Sequence, residues 1–382
     1  MRVLIVPDKF KGTLTAAEAA AAIAEGWRQG RPRDELDLLP MSDGGDGFGE
    51  ILGQRLGAAP RTVETVDAAH RPIQARFWWQ EARKIALIES AQVIGLAQLP
   101  PGRFHPFELD TYGLGAVFRA AAALRPREWF IGIGGSATND AGFGLARALG
   151  WQFGDRNGVA LERWTELPHL ASVAPPTQPL RLRGAAVAVD VTSPLLGRYG
   201  ATQVFGPQKG IRPEDIKPAE RCFRRLVRVM VTRSASLRGM EKRPGAGAAG
   251  GLGFGLEAFL GLPLVPGFVG FARLTQLRRW VRAADLVITG EGAIDLSTVA
   301  LGKGVGRVGN LARHYHKPCI ALAGAWEPGA FAARPFTAVA AIAPTLTSAT
   351  AAMAEPRRWL AELARRAATA WLADGAPAPP GR

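Results

Sequence analysis

Short apolar runs, each ending in glycine, aspartate or proline and each followed by a helical stretch, limit the fold of this chain more than any other feature. Buried parallel strands in β-α units have this pattern, because both faces of such a strand are covered. The sequence therefore predicts the α/β class. The clearest runs rich in Val, Ile and Leu are 3–6, 36–39, 85–88, 129–133, 185–189, 286–288, 320–322 and 338–342.

The segment after the first predicted strand contains a helix start. Thr15 and Glu18 form a T-x-x-E capping box before an Ala-rich stretch that runs to Gly26. This places the string PDKFKGTLT in the loop between a strand end and a helix N-terminus. Loops of this kind bind ligands in open α/β sheets, because helix N-termini offer unpaired N–H groups.

The length of 382 residues favours two domains. The first two and the last three predicted strands alternate regularly with helices, whereas the middle has longer irregular connections. We therefore expect one domain built from both chain ends, 1–62 and 275–370, and a second α/β domain, 63–274, inserted between them. The Pro/Gly-rich segment 373–382 is predicted to be a disordered tail.

Composition excludes several classes of protein. With 47% hydrophobic and 21% charged residues, the chain has the composition of a globular protein. Cys222 and Cys319 are far apart and lie outside any CxxC pair, which disfavours a disulfide framework and a structural zinc site. The first apolar run is too short for a signal peptide or a membrane span. We expect a cytoplasmic protein without a membrane partner.

The formal net charge of +14 favours anionic partners. The basic residues are spread along the chain, and no recognised nucleic-acid motif accompanies them. A small anionic substrate or a solvated Arg-rich surface is therefore favoured over nucleic acid. The sequence leaves the oligomeric state, including a homodimer, open.

Glycine-rich loops that carry charged or hydroxyl side chains follow several predicted strands. Glycine allows backbone N–H groups to approach an anion closely, so these loops are candidates for binding phosphate. The alternative is that the glycines only form tight turns. Five loops follow strands directly, at 7–12, 42–47, 132–142, 190–194 and 289–295, and two further glycine-rich segments lie at 244–255 and 301–306.

Other motifs that handle phosphate or perform catalysis are absent from the sequence. Lys303 is followed by glycine, so no Walker A box occurs, and the protein-kinase motifs are absent. A GxGxxG match at Gly245, Gly247 and Gly250 lacks the preceding strand of a dinucleotide site. No G-x-S-x-G elbow is present, and the histidines lack metal spacing. Carboxylates, lysines and backbone donors remain, and these are the groups used in Mg²⁺-assisted phosphoryl transfer.

Several of these strings together resemble the bacterial two-domain glycerate kinases. The N-terminal VPDKFKGTLTAAEAA is similar to the family's A-P-D-S-F-K-G-S-L-S-A motif, and PMSDGGDG resembles P-x-A-D-G-G-E-G. IGIGGSATNDAGFGLARALG is nearly verbatim. DVTSPLLGRYGATQVFGPQKG, PGAGAAGGLGFGLEAFL and ADLVITGEGAIDLST follow in the family's order, and the resemblance covers about residues 1 to 345.

The resemblance implies ATP-dependent phosphorylation of D-glycerate with Mg²⁺ as cofactor. It also implies a flavodoxin-like domain, an inserted α/β domain and a site in the cleft between them. The product implied is 2-phosphoglycerate, with 3-phosphoglycerate as the competing assignment.

On this basis we assign roles to residues as hypotheses. Asp190, Asp43 and Lys11 are the candidate catalytic residues, and Asp190 is the first choice for the base that accepts the hydroxyl proton. Asp43, Glu291 and Asp295 are candidate Mg²⁺ ligands. The candidates for binding substrate or phosphate are Asp8, Lys9, Ser136, Thr138, Asn139, Asp140, Lys209 and Lys303. Those for binding nucleotide are Gly245, Gly247, Gly250, Gly251, Gly290 and Glu291.

Three positions depart from the family pattern. Lys9 stands in place of Ser, Ser193 in place of Asn and Ala293 in place of Arg. The first departure adds a cation and the last removes one, which leaves a kinase for another small hydroxy acid as an alternative. A non-catalytic protein that binds anions or nucleic acid is the more remote alternative.

Overall fold

A computed structural model describes residues 1–42, 44–45, 47–295, 304–326 and 335–371. The strands within these ranges are β1 (Arg2–Pro7), β2 (Glu35–Leu38), β3 (Ala59–Val66), β4 (Pro72–Gln80), β5 (Ile85–Glu89), β6 (Glu128–Gly132), β7 (Gln152–Gly154), β8 (Ser172–Ala174), β9 (Ala185–Val189), β10 (Leu264–Pro266), β11 (Leu286–Ile294), β12 (Cys319–Trp326) and β13 (Ala338–Ala343). The helices are α1 (Ala16–Gly30), α2 (Phe48–Leu56), α3 (Ala91–Ile94), α4 (Leu114–Ala123), α5 (Phe143–Ala148), α6 (Ala201–Phe205), α7 (Pro213–Arg233), α8 (Ala248–Leu260), α9 (Gly267–Leu274), α10 (Leu277–Ala283), α11 (Gly304–His314), α12 (Ala349–Ala354) and α13 (Pro356–Ala370).

Backbone contacts divide the chain into two compact units. The end unit comprises Met1–Ser42 and Phe271–Arg382, and the middle unit comprises Asp43–Gly270. The predicted α/β class is confirmed, since both units combine helices with a largely parallel sheet. Among the described helices, none is both long enough and apolar enough to cross a membrane.

The end unit contains a five-stranded parallel sheet in the order β13-β12-β11-β1-β2. If the five strands are numbered within the unit and read from β2 to β13, the order is 2-1-3-4-5, which is the flavodoxin-like arrangement. The apolar residues of β1 are buried, and α1 packs closely on α13. A Cβ at Gly26 would lie 1.8 Å from the carbonyl oxygen of Ala361, so only glycine allows this approach.

The predicted capping box fixes the start of α1. The N–H of Glu18 donates to the Thr15 hydroxyl at 3.2 Å, and the Glu18 carboxylate accepts from the N–H of Thr15 at 2.8 Å. These bonds satisfy helix donors that would otherwise lack partners. The loop between β1 and α1 therefore ends at a defined position.

The middle unit contains a six-stranded sheet in the order β10-β9-β6-β5-β4-β3. The strands from β10 to β5 are parallel, and β4 and β3 form an antiparallel ribbon at one edge. Apolar residues of β5, β6 and β9 form much of the core beneath α4 and α8.

The boundary between the units lies earlier than the sequence predicted, at Ser42/Asp43 and not after residue 62. The reason is the packing of α2 on the second strand of the ribbon. Cβ atoms at Gly49 and Gly53 would lie 1.9 and 2.5 Å from atoms of the Trp78 ring. Helix α2 thus belongs to the middle unit, and the second boundary lies after Gly270 and not after residue 274. The predicted tail, 373–382, lies outside the described residues.

Candidate functional site

The carboxyl ends of β1 and β11 bring together candidate residues from both termini of the chain. Pro7 pairs with Gly290, and the N–H of Asp8 donates to the Gly290 carbonyl at 2.8 Å. Asp8 and Glu291 therefore follow paired residues of neighbouring strands. In a sheet of this order, the strand order reverses at these two strands, which is the usual place for a ligand.

The loop after β1 is anchored by a buried aromatic ring and exposes two cations. Phe10 is buried, and its backbone carbonyl accepts hydrogen bonds from the N–H groups of Thr13 and Leu14. Lys9 and Lys11 on either side of it are exposed. The loop thus holds two lysines in solvent at the strand end, where they are available to an anionic group.

A helix N-terminus lies beside this loop. Helix α11 begins at Gly304, where a Cβ would lie 2.5 Å from the Met41 side chain and 3.7 Å from a carboxylate oxygen of Asp8. Glycine at this position therefore keeps the helix start close to β1. Lys303, the predicted phosphate ligand immediately before it, lies outside the described residues.

In the middle unit, the SDGGDG loop lies on the carboxyl ends of two strands. The Gly44 carbonyl accepts from the N–H of Gly134 at 3.0 Å, after β6. A Cβ at Gly44, whose φ is +104°, would lie 2.8 Å from the Cβ of Ala188 in β9. Asp190, directly after β9, is exposed at this edge. Asp43, the neighbour of Gly44, lies outside the described residues.

Glu89 is a site residue that sequence reasoning missed. It ends β5 and is buried, and its two carboxylate oxygens accept from the N–H groups of Gly47 and Gly49 at 3.0 and 2.8 Å. A carboxylate at a helix N-terminus is stabilised by the unpaired N–H groups and the helix dipole. Glu89 therefore fixes the SDGGDG loop to the sheet. The available signal was a single acid at the end of the otherwise apolar string IALIE.

The GSATND turn is organised by a fully buried carboxylate. Asp140 accepts hydrogen bonds from the hydroxyl and the N–H of Thr111, at 2.7 and 3.0 Å. It also accepts from the N–H groups of Gly142 and Gly144, at 3.1 and 2.9 Å. With no exposed surface, Asp140 shapes the turn from inside, and the exposed part of this segment is the backbone at Gly135. Thr111 was not predicted.

The other polar residues of the turn are also buried and bonded to protein. The Lys209 ammonium donates to the Thr138 carbonyl at 2.7 Å, and the Asn139 amide donates to the Thr202 hydroxyl at 3.1 Å. The hydroxyls of Ser136 and Thr138 lie 3.0 Å apart. The structure thus brings these predicted residues together, and their side chains hold the turn.

The glycines of the PGAGAAGG segment lie against protein backbone. A Cβ at Gly250 would lie 2.0 Å from the Thr138 carbonyl oxygen, and one at Gly247 would lie 2.2 Å from the Pro194 carbonyl oxygen. Gly245 and Gly251 are buried as well. Close packing against the GSATND turn and the DVTSP loop is thus sufficient reason for glycine at these positions. Their predicted contact with nucleotide stays a prediction.

Burial shifts the pKa values of two ionisable groups, Asp140 in the turn and Lys209, which is bonded to the turn. Burial, followed by the nearby Asp110 carboxylate, raises the pKa of Asp140 to about 6, against the lowering effect of its hydrogen bonds. Burial lowers the pKa of Lys209 to about 7, and the Asp140 carboxylate opposes that shift. Both groups therefore titrate near neutral pH.

The raised pKa predicts a pH dependence of stability. Between the ordinary value of 3.8 and about 6, the folded protein binds more protons at Asp140 than the unfolded chain does. The contribution of this residue must then decrease as pH rises through that range. We expect the free energy of unfolding of the unmodified protein, minus that of Asp140→Asn, to decrease over this interval in urea titrations. A difference that stays constant or increases would contradict the assignment.

Two of the predicted Mg²⁺ ligands, Glu291 and Asp295, lie within β11 and directly after it. Both are partly buried oxygen donors. Mg²⁺ commonly takes one or two protein carboxylates and completes its shell with water and substrate phosphates. The described part of the chain contains no group of three or more acidic, His or Cys residues arranged to hold a metal. The assignment of Glu291 and Asp295 as ligands stays a prediction.

Comparisons with known proteins identify glycerate kinases as relatives of this chain. The model of the glycerate kinase family matches residues 3–372. A glycerate kinase of Halalkalibacterium halodurans is 37% identical over 333 residues, 86% of each chain. Glycerate 2-kinase of Escherichia coli is 34% identical over 331 residues, 85% of each chain. A crystal structure from Salmonella typhimurium LT2, assigned provisionally to glycerate kinase 2, aligns with a TM-score of 0.80 at 34% identity, covering 96% of this chain and 97% of the other.

Proposed function

The chain belongs to the glycerate kinase family, and from this membership we propose that it transfers the γ-phosphoryl group of ATP to the 2-hydroxyl of D-glycerate. The observation that carries the proposal is the position of Asp190 at the carboxyl end of β9, an inner strand of the middle sheet. Asp190 is exposed directly after β9. The Gly44 backbone packs against Ala188 of the same strand and accepts a hydrogen bond from the N–H of Gly134 after β6. A carboxylate at the carboxyl end of a parallel strand is placed to accept a proton from a ligand bound at that end of the sheet.

In the proposed reaction, the glycerate hydroxyl oxygen attacks the γ-phosphorus and the bond to the ADP oxygen breaks. Asp190 accepts the hydroxyl proton. Most of the catalysis in phosphoryl transfer comes from positioning and from neutralising charge, so a rigid turn is useful. The buried Asp140 and Lys209 supply that rigidity by fixing the backbone of the GSATND turn.

In the end unit, the exposed Lys9 and Lys11 are proposed to contact phosphate oxygens or the glycerate carboxylate. A lysine ammonium acts as a mobile point charge, which suits a group that moves during transfer. Glu291 and Asp295 would hold Mg²⁺, with Asp43 as a further candidate, and the bound ion would neutralise phosphate charge. The buried free thiols of Cys222 and Cys319 are consistent with the cytoplasmic setting that we propose.

The proposal is tested by identifying the product. We expect purified protein with ATP, Mg²⁺ and D-glycerate to release ADP and to form 2-phosphoglycerate, because the family membership includes a relative named glycerate 2-kinase. Phosphorus-coupled NMR separates the two isomers, since the phosphate couples to one proton at C2 and to two protons at C3. Accumulation of 3-phosphoglycerate would overturn the assignment of the hydroxyl.

A panel of small hydroxy acids tests the alternative substrate class. Relative to the family pattern, Lys9 adds a positive charge in the loop after β1 and Ala293 removes one in β11, so another hydroxy acid is the competing substrate. We expect D-glycerate to give the highest kcat/KM. A higher kcat/KM with another acid would assign the substrate class to that acid and leave the reaction class intact.

A further inference from the structure

Basic residues of α7 and of the segment before it line one groove of the middle unit. The groove has a volume of about 1020 Å³ and is formed by one face of α7 and the segment from Gly197 to Gln203. Among the described residues, its lining includes a single acid, Glu220. The lining cations are Arg198, Lys217, Arg221, Arg224, Arg225 and Arg228.

The cations of α7 lie on one face because of their spacing. Lys217, Arg221, Arg224 and Arg228 are separated by four, three and four residues, which places their side chains in a row along the helix. At 1.5 Å per residue, this row extends for about 16 Å. The opposite face of α7 is buried through apolar residues such as Phe223. The basic face is thus fixed in place by the core.

The one acid in the groove is already bonded within the protein. The Glu220 carboxylate accepts from the guanidinium of Arg224 and from the N–H of Gly197, the latter at 3.1 Å. Arg225 donates to the carbonyl of Leu170 at 2.6 Å. Glu220 therefore ties the two walls of the groove together and leaves little negative charge for the remaining cations.

Four cations of the groove have no acidic partner in the described part of the chain. Lys217, Arg221 and Arg228 are exposed along α7, and Arg198 on the opposite wall lies over the ring of Tyr199, with its guanidinium carbon 5.6 Å from the ring centroid. Like charges one turn apart repel and destabilise a helix. An anion bound between them would remove that repulsion.

We propose that this groove is a binding site for a small anion that carries two or more phosphate groups. Arginine binds phosphate through paired N–H donors, and several arginines in a row suit adjacent phosphates. A single phosphate is too small to contact cations distributed over three helical turns. The volume of about 1020 Å³ is just above the range of small-molecule cavities, about 300 to 1,000 Å³. The row of cations is only about 16 Å long, which favours a small ligand over a polymer.

The test measures binding of inorganic tripolyphosphate by calorimetry over a series of salt concentrations. We expect the double variant Arg221→Ala/Arg228→Ala to lose at least tenfold in affinity. The affinity of this variant should also depend less steeply on salt concentration, because two charge–charge contacts that salt screens are removed. The matched control is Arg358→Ala/Arg366→Ala on α13, which removes the same charge from exposed positions in the end unit. This control should retain the affinity.

Kinase assays without tripolyphosphate separate this proposal from the proposed function, since both double variants should keep the activity of the unmodified protein. If the alanine variant does not fold, Arg221→Gln/Arg228→Gln removes the charge and keeps part of the side chain that packs along the helix surface. Absence of tripolyphosphate binding, or equal affinity in the groove variant and the control, would overturn the site. Tighter binding of a short single-stranded oligonucleotide, lost in the groove variant, would overturn the assignment to a small ligand.

Discussion

Replacing Asp190 by asparagine should lower kcat for glycerate phosphorylation by about 100- to 10,000-fold, the range found when a general base is removed. The substitution keeps the size of the side chain and removes its ability to accept a proton. A base acts on the transition state and not on the bound substrate, so the KM for glycerate should change little. Steady-state assays of ADP release measure both quantities.

The matched control for this experiment is Asp155→Asn in the same unit. The Asp155 carboxylate accepts from the N–H groups of Asn157 and Val159, both at 2.8 Å, and an asparagine oxygen can replace it there. This variant should keep its activity. If the asparagine variant of Asp190 turns over substrate near the rate of the unmodified protein, Asp190 is not the base.

A metal-binding role for Asp190 makes a different prediction. A weakened metal site is restored in part by more metal, so activity of Asp190→Asn would then recover as Mg²⁺ or Mn²⁺ is raised. A lost base is not replaced in this way. We expect no recovery, because the proposed Mg²⁺ ligands Glu291 and Asp295 are unchanged in the variant.

Strands that are buried on both faces were predicted from the sequence, whereas a largely exposed strand was not. Strands β5, β6 and β9 were predicted because their apolar runs are buried on both faces. The ribbon strand β3 escaped prediction because most of its residues are exposed, so its sequence APRTVETV has no continuous apolar run. Helix α2 packs on Trp78 of β4, the other strand of the ribbon, and this contact places α2 in the middle unit, which the sequence alone did not indicate.

In the candidate site, too, contacts between residues close in sequence were predicted, whereas contacts between residues far apart in sequence were missed. The Thr15–Glu18 capping box was predicted correctly because its two residues are three positions apart. Glu89 was missed because its partners Gly47 and Gly49 are about forty residues away, and only the fold brings them together. The basic groove is a third case, because Arg198 and the arginines of α7 lie on separate elements.

The turn from Ser136 to Asp140 was predicted from the sequence, but its polar side chains are buried. The sequence indicated a polar, glycine-rich turn at a strand end, and the structure contains it. The polar side chains are nevertheless buried and bonded to protein, so the surface that they present to solvent is backbone. These side chains hold the turn in the structure, and their predicted contact with substrate or phosphate stays a prediction.

The stiffness of that turn leads to the largest expected effect on stability, from Gly250→Ala. Gly250 has a φ of +66°, and a Cβ there would lie 2.0 Å from the Thr138 carbonyl oxygen and 2.7 Å from the Cα of Asn139. The substitution combines a left-handed backbone conformation with overlap against backbone that cannot rotate away. We expect a loss of about 2 to 5 kcal/mol in the free energy of unfolding, measured in urea.

Gly261→Ala at the end of the same helix separates the two causes. Gly261 has a φ of +68°, nearly that of Gly250, but a Cβ there would meet no atom within 4 Å. This control should lose only about 1 kcal/mol, the cost of the left-handed conformation alone. Gly250→Ala should in addition raise the KM for glycerate, because relief of the overlap must displace the turn, whereas Gly261→Ala should leave it unchanged. Equal losses of stability in the two variants would show that α8 can move away from Thr138, and the turn would then not be held rigidly by this contact.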